Sequence, residues 1–473
     1  MDSIPSPSNS GMRTAPRTVN RARDPSQAGS IRSVGSGAAR DRDGNIMFGV
    51  GNEGDEVPIE LLQSVYLTNP LSPNPDTGAF PAPAASPPGS AILPSEAQMQ
   101  QQHHRSYSLS SERFSPHSVL DWPTAVAFTS RTTYPPVRKL PRAQKKRILV
   151  TGGAGFVGSH LVDRLMFLGH DVVVLDNFFS GSKSTLSHWV GHPNFELVRG
   201  DVVESLLIEV DQIYHLACPA SPKAYQLNAV KTLKTSFTGT QNMLGLAKRT
   251  KARFLLSSTS EVYGSPMEHP QTEEYWGNVN PNGPRSCYDE GKRVAEALTY
   301  GYARQDGVDV RVARIFNCFG PRMSLDDGRL VSNFAVAALK GEPLQIYGDG
   351  QATRSLMFVH DLITGLIALM ESSYSEGPVN IGTVDEGTVL SWAEEILSLV
   401  HDLRASGIIA PLPLGQPEST IEFVPAVVDD PPRRKPDISR AKKELGWEPR
   451  WPVRAGLEET ILYFARQLEE GQN

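Results

Sequence analysis

At 473 residues the chain has room for two or three domains. Hydrophobic residues make up 39% and aromatic residues 8%, below the usual globular share, so part of the sequence is not expected to build a core. A formal net charge of -6 argues against a general nucleic-acid binder. No run of about 18 apolar residues marks a membrane span, and three cysteines without a CxxC pair or a secretory signal predict a reducing, cytoplasmic setting.

Residues 1–143 come first and read as a disordered Pro/Ser-rich tail. Roughly half of the 37 prolines fall there, and proline withholds the N–H that helices and ladders need. "NPLSPNPDTGAFPAPAASPPGS" is one such stretch. Only "VPIELLQSVYL", Val57 to Leu67, has apolar spacing that permits a short helix. "HHRSYSLSSERFSPHS" sets serines beside arginines, as basophilic kinase substrates do, but reads chiefly as low complexity. Nothing in the tail identifies its partners.

From Lys145 the texture changes. "RILVTGGAG" is a short apolar strand entering a glycine turn, "SHLVDRLMFLGH" has helical spacing, and "DVVVLDN" is a second strand ending in an acid. "FELVRGD", "QIYHLAC", "RFLLSST" and "VRVARIFN" continue as strands. Helical segments lie between them, among them "TQNMLGLAKRT" and "YDEGKRVAEALTYGYARQ". Strands alternating with helices predict an α/β fold with a Rossmann-type, doubly wound parallel sheet.

The glycines follow from that placement. Gly152, Gly155 and Gly158 sit between a strand and a helix. The first permits the tight turn, the second lets backbone approach a pyrophosphate, and the third lets helix and strand pack closely. The phosphate rests on the helix N-terminus, where free N–H groups and the dipole favour anions. The stretch also fits GxGxxG through Gly153, so spacing alone leaves the subtype open. Asp176 ends the second strand, 24 residues after Gly152, and is followed by Asn177 and Phe178 rather than arginine. A carboxylate there accepts from ribose hydroxyls and repels a 2′-phosphate, which favours NAD over NADP.

"SCYDEGKRVAE" holds Tyr288 and Lys292 one helical turn apart, on one face. The helix opens after "RFLLSSTSEVYG", whose Ser/Thr-rich end belongs at the carboxyl edge of the sheet, where open α/β sheets bind ligands. A tyrosine beside an ammonium and a nicotinamide cation is expected to have its pKa pulled below its usual value of about 10, as a base requires.

"TGGAGFVG", "STSEVYG" and the Tyr-Lys pair together resemble the extended short-chain dehydrogenases that act on nucleotide sugars. "DQIYHLACPASP", "KTLKT", "YWGNVNP", "SCYDEGKRVAE", "RIFN", "DDGRLVSNF" and "DDPPRRKPDI" narrow the resemblance to the UDP-glucuronic acid decarboxylase family, over roughly Lys145 to Phe464. The resemblance implies NAD-dependent decarboxylation of UDP-glucuronate to UDP-xylose and carbon dioxide. Tyr288 would take the proton of the 4-hydroxyl while NAD oxidises C4, and Lys292 would bind the nicotinamide ribose. Carbon dioxide would leave from the 4-keto sugar, with NAD recycled in each turn. Thr259 would hydrogen-bond the 4-hydroxyl, and Glu261 would assist decarboxylation or C5 protonation. The related 4,6-dehydratases carry an Asp-Glu pair where this chain has Ser260 and Glu261, which argues against water elimination.

The cofactor set implied is Gly152, Gly155, Phe156, Val157, Gly158, Asp176, Asn177, Phe179, Ser180, Gly181, Asp201, Val202, Leu216, Thr235, Tyr288 and Lys292. For the substrate the resemblance implies Tyr225, Lys234, Asn317, Arg329, Gln345, Tyr347, Arg354 and Arg434, whose guanidiniums suit diphosphate and carboxylate. It further implies an NAD-binding domain over 144–316, a mainly UDP-sugar-binding region over 317–473 with segments returning to the core, and a homodimer. Ser236 replaces an expected asparagine, "RSLMFVHDL" lacks the usual phenylalanine, and "HDLRASGIIAPLPLGQPEST" is longer than family loops usually are. His215, His269 and His360 lack metal-ligand spacing and read as ordinary polar or core residues, so no metal is expected. Two other readings stay open on the residues: a UDP-sugar 4-epimerase and a non-catalytic sugar-nucleotide scaffold.

Overall fold

The structure, a computed structural model, describes residues 134–426 and 431–471. Most of the expected tail, with the Val57–Leu67 segment, lies outside the described residues. The last part of that tail does not: at 134–143 the chain lies against the fold. Pro135 is buried, the Tyr134 ring meets His192 edge-on at 5.1 Å, and Arg138 N donates to Phe167 O.

Strand β1 (Arg147–Thr151) leads through the glycine turn into α1 (Phe156–Phe167); β2 (Asp171–Asp176) and β3 (Phe195–Arg199) follow. β4 (Gln212–His215) precedes α2 (Pro222–Leu227), α3 (Ala229–Lys234), a π-helical turn Thr235–Gly239 and α4 (Thr240–Thr250). β5 (Arg253–Thr259) ends in the 3-10 turn Ser260–Tyr263, and the long α5 (Ser286–Asp306) leads to β6 (Val310–Ile315).

The remainder opens with β7 (Cys318–Phe319), α6 (Leu330–Lys340), β8 (Leu344–Tyr347), β9 (Thr353–Ser355), β10 (Met357–Phe358) and α7 (Val359–Glu371). It continues with β11 (Val379–Ile381), β12 (Glu386–Thr388), α8 (Val389–Ala405) and β13 (Ile421–Val424). β14 (Arg433–Arg434), α9 (Ser439–Leu445) and α10 (Val453–Glu470) close it.

Seven parallel strands form the main sheet in the order β11-β6-β5-β4-β1-β2-β3. The chain turns outward in both directions from β1, so a crevice opens at the carboxyl ends between β1 and β4. Strand alternation divides the core: Ile148 and Val150 pack with Leu161 and Leu362, while Leu149 packs with Met243, Leu244 and Ala295. Both faces are thus covered by helices, which is why the strands read as continuous apolar runs. Each fully buried Val or Leu contributes about 1.5–3 kcal/mol. A small three-stranded sheet, β12-β9-β14, sets Arg434 in register with Arg354.

Candidate active site

The glycine turn is sterically required. Gly152 has φ +70°, and a Cβ there would stand 2.9 Å from the Ala217 backbone. A Cβ on Gly158 would overlap the Gly152 carbonyl, so the first turn of α1 can lie against the loop only with glycine. α1 begins without a side-chain cap and without an acid in its first turn, which leaves its N-terminal dipole for an anion. Asp176 closes the turn from the next strand: its Oδ2 accepts from Ala154 N at 2.9 Å and its Oδ1 from Phe178 N at 2.8 Å. Burial pushes the Asp176 carboxyl up, and the two N–H groups oppose that rise.

Every residue assigned above to the cofactor lines one cavity of about 890 Å³, as do Thr259, Glu261, Asn317 and Arg329. Asn177 Nδ2 donates to Asp201 Oδ2 at 2.8 Å, and the Lys231 ammonium stands 4.6 Å from the centre of the Phe179 ring. The first contact ties the β2 and β3 loops together, and the second ties α3 to the β2 loop.

The Tyr-Lys pair comes from α5, which packs on β5. Lys292 Nζ donates to the Ser257 carbonyl at 2.7 Å, at the carboxyl end of that strand. The Thr259 side chain, on the strand beneath, opposes part of the rise that burial imposes on the Tyr288 hydroxyl. The Tyr288 ring stacks on Tyr225 with centres 5.0 Å apart and planes 9° from parallel. The expectation of a lowered pKa for Tyr288 is not met in the chain alone: burial raises it well above the ordinary value. The cationic nicotinamide invoked in that expectation is not part of the chain, and Lys292 stands 6.0 Å from the ring centre.

Glu261 lies in the 3-10 turn after β5 and is gripped from two sides. Arg434 Nη1 and Nη2 reach its two oxygens at 2.7 and 2.9 Å, and Arg285 Nη2 reaches Oε2 at 2.5 Å. Burial works to raise its pKa, but Arg434, Arg285 and Arg354 outweigh that and hold the carboxyl below its usual range. Arg434 also stands 3.4 Å from Asn317 Oδ1. Arg329 is ion-paired with Asp327 at the start of α6.

Of the eight expected substrate residues only Asn317 and Arg329 line the cavity; Arg434 and Tyr225 stand behind it, against Glu261 and Tyr288, and four lie farther off. Gln345 and Tyr347 are exposed on β8, Lys234 is exposed on α3, and none of them lines the cavity. Arg354 is buried on β9, its Nη1 donating to the Thr353 carbonyl. The sequence reading missed Arg285, Asp289 and Lys231. Arg285 precedes Asp289 by one helical turn, which was a readable cue to their proximity; its grip on Glu261 is a tertiary contact without a local signal. Ser236, the departure from the expected asparagine, bonds Cys218 Sγ at 3.4 Å. His215 bonds Thr151 and Thr240 in the core, His360 sits among Phe358 and Trp451, and His269 pairs with Glu386.

A Rossmann sheet with this glycine turn and a Tyr-Lys pair beside a Thr-Ser-Glu turn defines the class of the extended short-chain dehydrogenases. The family profile described as GDP-mannose 4,6 dehydratase matches residues 149–460. UDP-glucuronic acid decarboxylase 1 of Danio rerio is 57% identical over 348 residues, 74% of this chain and 79% of that protein. UDP-glucuronic acid decarboxylase 1 of Arabidopsis thaliana is 56% identical, covering 69% of this chain and 71% of that one. The solved UDP-glucuronic acid 4-epimerase of Bacillus cereus, in complex with UDP-glucuronic acid and NAD, superposes with a TM-score of 0.58 at 27% identity, over 68% of this chain and 99% of that one. The chain belongs to the UDP-glucuronic acid decarboxylase family.

Proposed function

We propose that this chain decarboxylates UDP-glucuronate to UDP-xylose and carbon dioxide through a 4-keto sugar, with NAD regenerated in each turnover. The observation that carries the reading is the Arg434–Glu261–Arg285 cluster beside Tyr288, Lys292 and Thr259, with Glu261 in the same cavity as those three: carboxylate chemistry next to an oxidation site. The family's curated members bear the name of that activity. A non-catalytic scaffold would not need the buried Tyr288–Lys292 pair.

NAD fits the residues present. A Cβ at Gly155 would meet only the Gly152 carbonyl, at 3.3 Å, so the turn is otherwise open where a pyrophosphate would approach. Asp176 would accept hydrogen bonds from the adenosine ribose hydroxyls, and Lys292 would hold the nicotinamide ribose. When bound, NAD supplies the reversible oxidation of C4.

The chain's own groups do the rest. Tyr288 takes the 4-hydroxyl proton, and Thr259 holds that oxygen in place. The resulting ketone stands β to the C6 carboxylate, so the C5–C6 bond breaks to give an enolate and carbon dioxide. The ionised Glu261 fixes the fork of Arg434 and aims the cluster's guanidiniums at developing negative charge. Protonation at C5 and reduction at C4 complete the turn.

The division into 144–316 for the cofactor and 317–473 mainly for the UDP-sugar belongs to the same proposal, as does a homodimer. Leu227, Val230, Leu233 and Phe237 are exposed along the α2–α3 stretch and its π turn, and Val294, Leu298 and Tyr302 are half-buried on α5. Ala295 on the same helix is fully buried in the core. Three free thiols suit a cytoplasmic setting, and no described helix is long and apolar enough to cross a membrane. Incubating the purified chain with carboxyl-labelled UDP-glucuronate tests the activity. Labelled carbon dioxide is expected; label retained in UDP-galacturonate would mean epimerisation instead.

A further inference from the structure

The cluster has a fourth member that the mechanism above does not use. Asp289 follows Tyr288 in the first turn of α5, with its side chain 9% exposed. Its Oδ2 lies 3.9 Å from Arg285 Nε, too far for a hydrogen bond, and its buried Oδ1 has no hydrogen-bond partner. Arg434, Glu261, Arg285 and Asp289 thus alternate in sign, but the acids are held unequally. Glu261 has three close guanidinium contacts, whereas Asp289 has one long one. A buried carboxylate without hydrogen bonds is the costly form of that group.

We propose that Asp289 takes up a proton when UDP-glucuronate binds, as a positioning residue that leaves Arg285 and Glu261 paired while the substrate carboxylate enters. This rests on the decarboxylase reading. A third carboxylate beside these two acids must displace a cation or protonate one of them, and the worst-held acid yields first. Arg354 acts on the Glu261 side and helps keep that acid ionised. Facing Asp289 are Glu261 and Glu290, which disfavour its charge, and Arg285 and Arg434, which favour it. Tyr225, whose hydroxyl is also buried without a partner, and Cys287 complete its surroundings. Burial is the dominant influence and, with Glu261, pushes Asp289 up to about 7.

The overall reaction also consumes a proton. Converting R–COO⁻ into R–H and carbon dioxide consumes one H⁺: the C5–C6 electron pair passes to the enolate and then forms the new C5–H bond. A proton held at Asp289 is in the site before that bond breaks.

The test is isothermal titration calorimetry in buffers of different ionisation enthalpy, on the full-length NAD-loaded Tyr288→Phe variant, which binds without turnover. UDP-glucuronate is expected to draw in a fraction of a proton at pH 7, and more at pH 8, whereas UDP-glucose draws in none. Adding Asp289→Asn, which keeps the shape and stays neutral, is expected to abolish the uptake and flatten the loss of affinity between pH 6 and 9. No carboxylate-dependent uptake in the Tyr288→Phe protein overturns the proposal without recourse to the second substitution. So does uptake that survives Asp289→Asn. The unsubstituted chain is assayed for carbon dioxide alongside. Proton uptake without carbon dioxide release would refute the decarboxylase reading and leave the role of Asp289 standing; release without uptake would do the reverse.

Discussion

Glu261 and Arg434 are 173 residues apart in sequence and meet through two parallel contacts, at 2.7 and 2.9 Å, inside the protein. A lysine at 434 would offer a point charge in place of the fork and cannot make both contacts. Arg434→Lys is therefore expected to lower carbon dioxide release by about 10²-fold or more, while the 4-keto sugar still forms. Chemical quench with mass detection of the keto sugar checks this. Equal loss of ketone and carbon dioxide would place Arg434 in the oxidation step instead.

The same pair sets a dependence of stability on pH. Burial alone would raise the Glu261 pKa; Arg434 and Arg285 pull it below the ordinary value. A depressed carboxylate contributes stability above its unfolded pKa, about 4.3, and loses it as pH falls through the folded value. Arg434→Gln breaks one side of a buried pair, a change that costs roughly 3–5 kcal/mol. The deficit relative to the parent chain is expected to be full at pH 7 and to shrink as pH falls below about 4, when Glu261 is neutral in both proteins. Urea unfolding across that range measures it, and a deficit constant with pH would rule the linkage out.

Asp176 has two tasks. Besides the ribose contact proposed for it, it accepts N–H groups from Ala154 in the glycine turn and Phe178 beyond the strand. Asp176→Ala is expected to weaken NAD binding by at least about tenfold, since hydrogen bonds to charged groups contribute roughly 1.5–3 kcal/mol each. It is also expected to narrow the preference over NADP. Cofactor titration with both dinucleotides tests this; unchanged NAD affinity would count against the assignment.

Much of this was legible in the sequence because the signals were local. The glycine turn, the acid ending β2 and the Tyr-Lys spacing each occupy a few consecutive residues, and six strands showed as apolar runs because both sheet faces are covered. β11 escaped notice because Val379–Ile381 is only three residues long and acquires its place by pairing with β6. Arg285 on Glu261 and the orphaned oxygen of Asp289 are products of packing between α5 and the turn after β5, which no period in the chain encodes. Gln345 and Tyr347 carry no local signal and enter by resemblance alone; alternation along β8 buries Leu344 and Ile346 and leaves both of them exposed.

The proposed dimer rests on exposed apolar side chains. Leu233 and Phe237 are 41% and 43% exposed on consecutive turns beside α5. If a second copy covers them, Leu233→Glu with Phe237→Glu is expected to convert a dimer to a monomer by light scattering at micromolar concentration. A parent chain that is itself monomeric there would contradict the proposal.

In the proposed mechanism, oxidation and reduction at C4 bracket a decarboxylation within one active site. Turnover of UDP-glucuronate in deuterium oxide, followed by proton NMR, tests it most directly. UDP-xylose with one deuterium at C5 and protium retained at C4 is expected, because C5 is protonated from solvent-exchangeable groups while the C4 hydrogen leaves and returns without meeting water. Deuterium at C4, or a product that keeps its carboxylate, would contradict it.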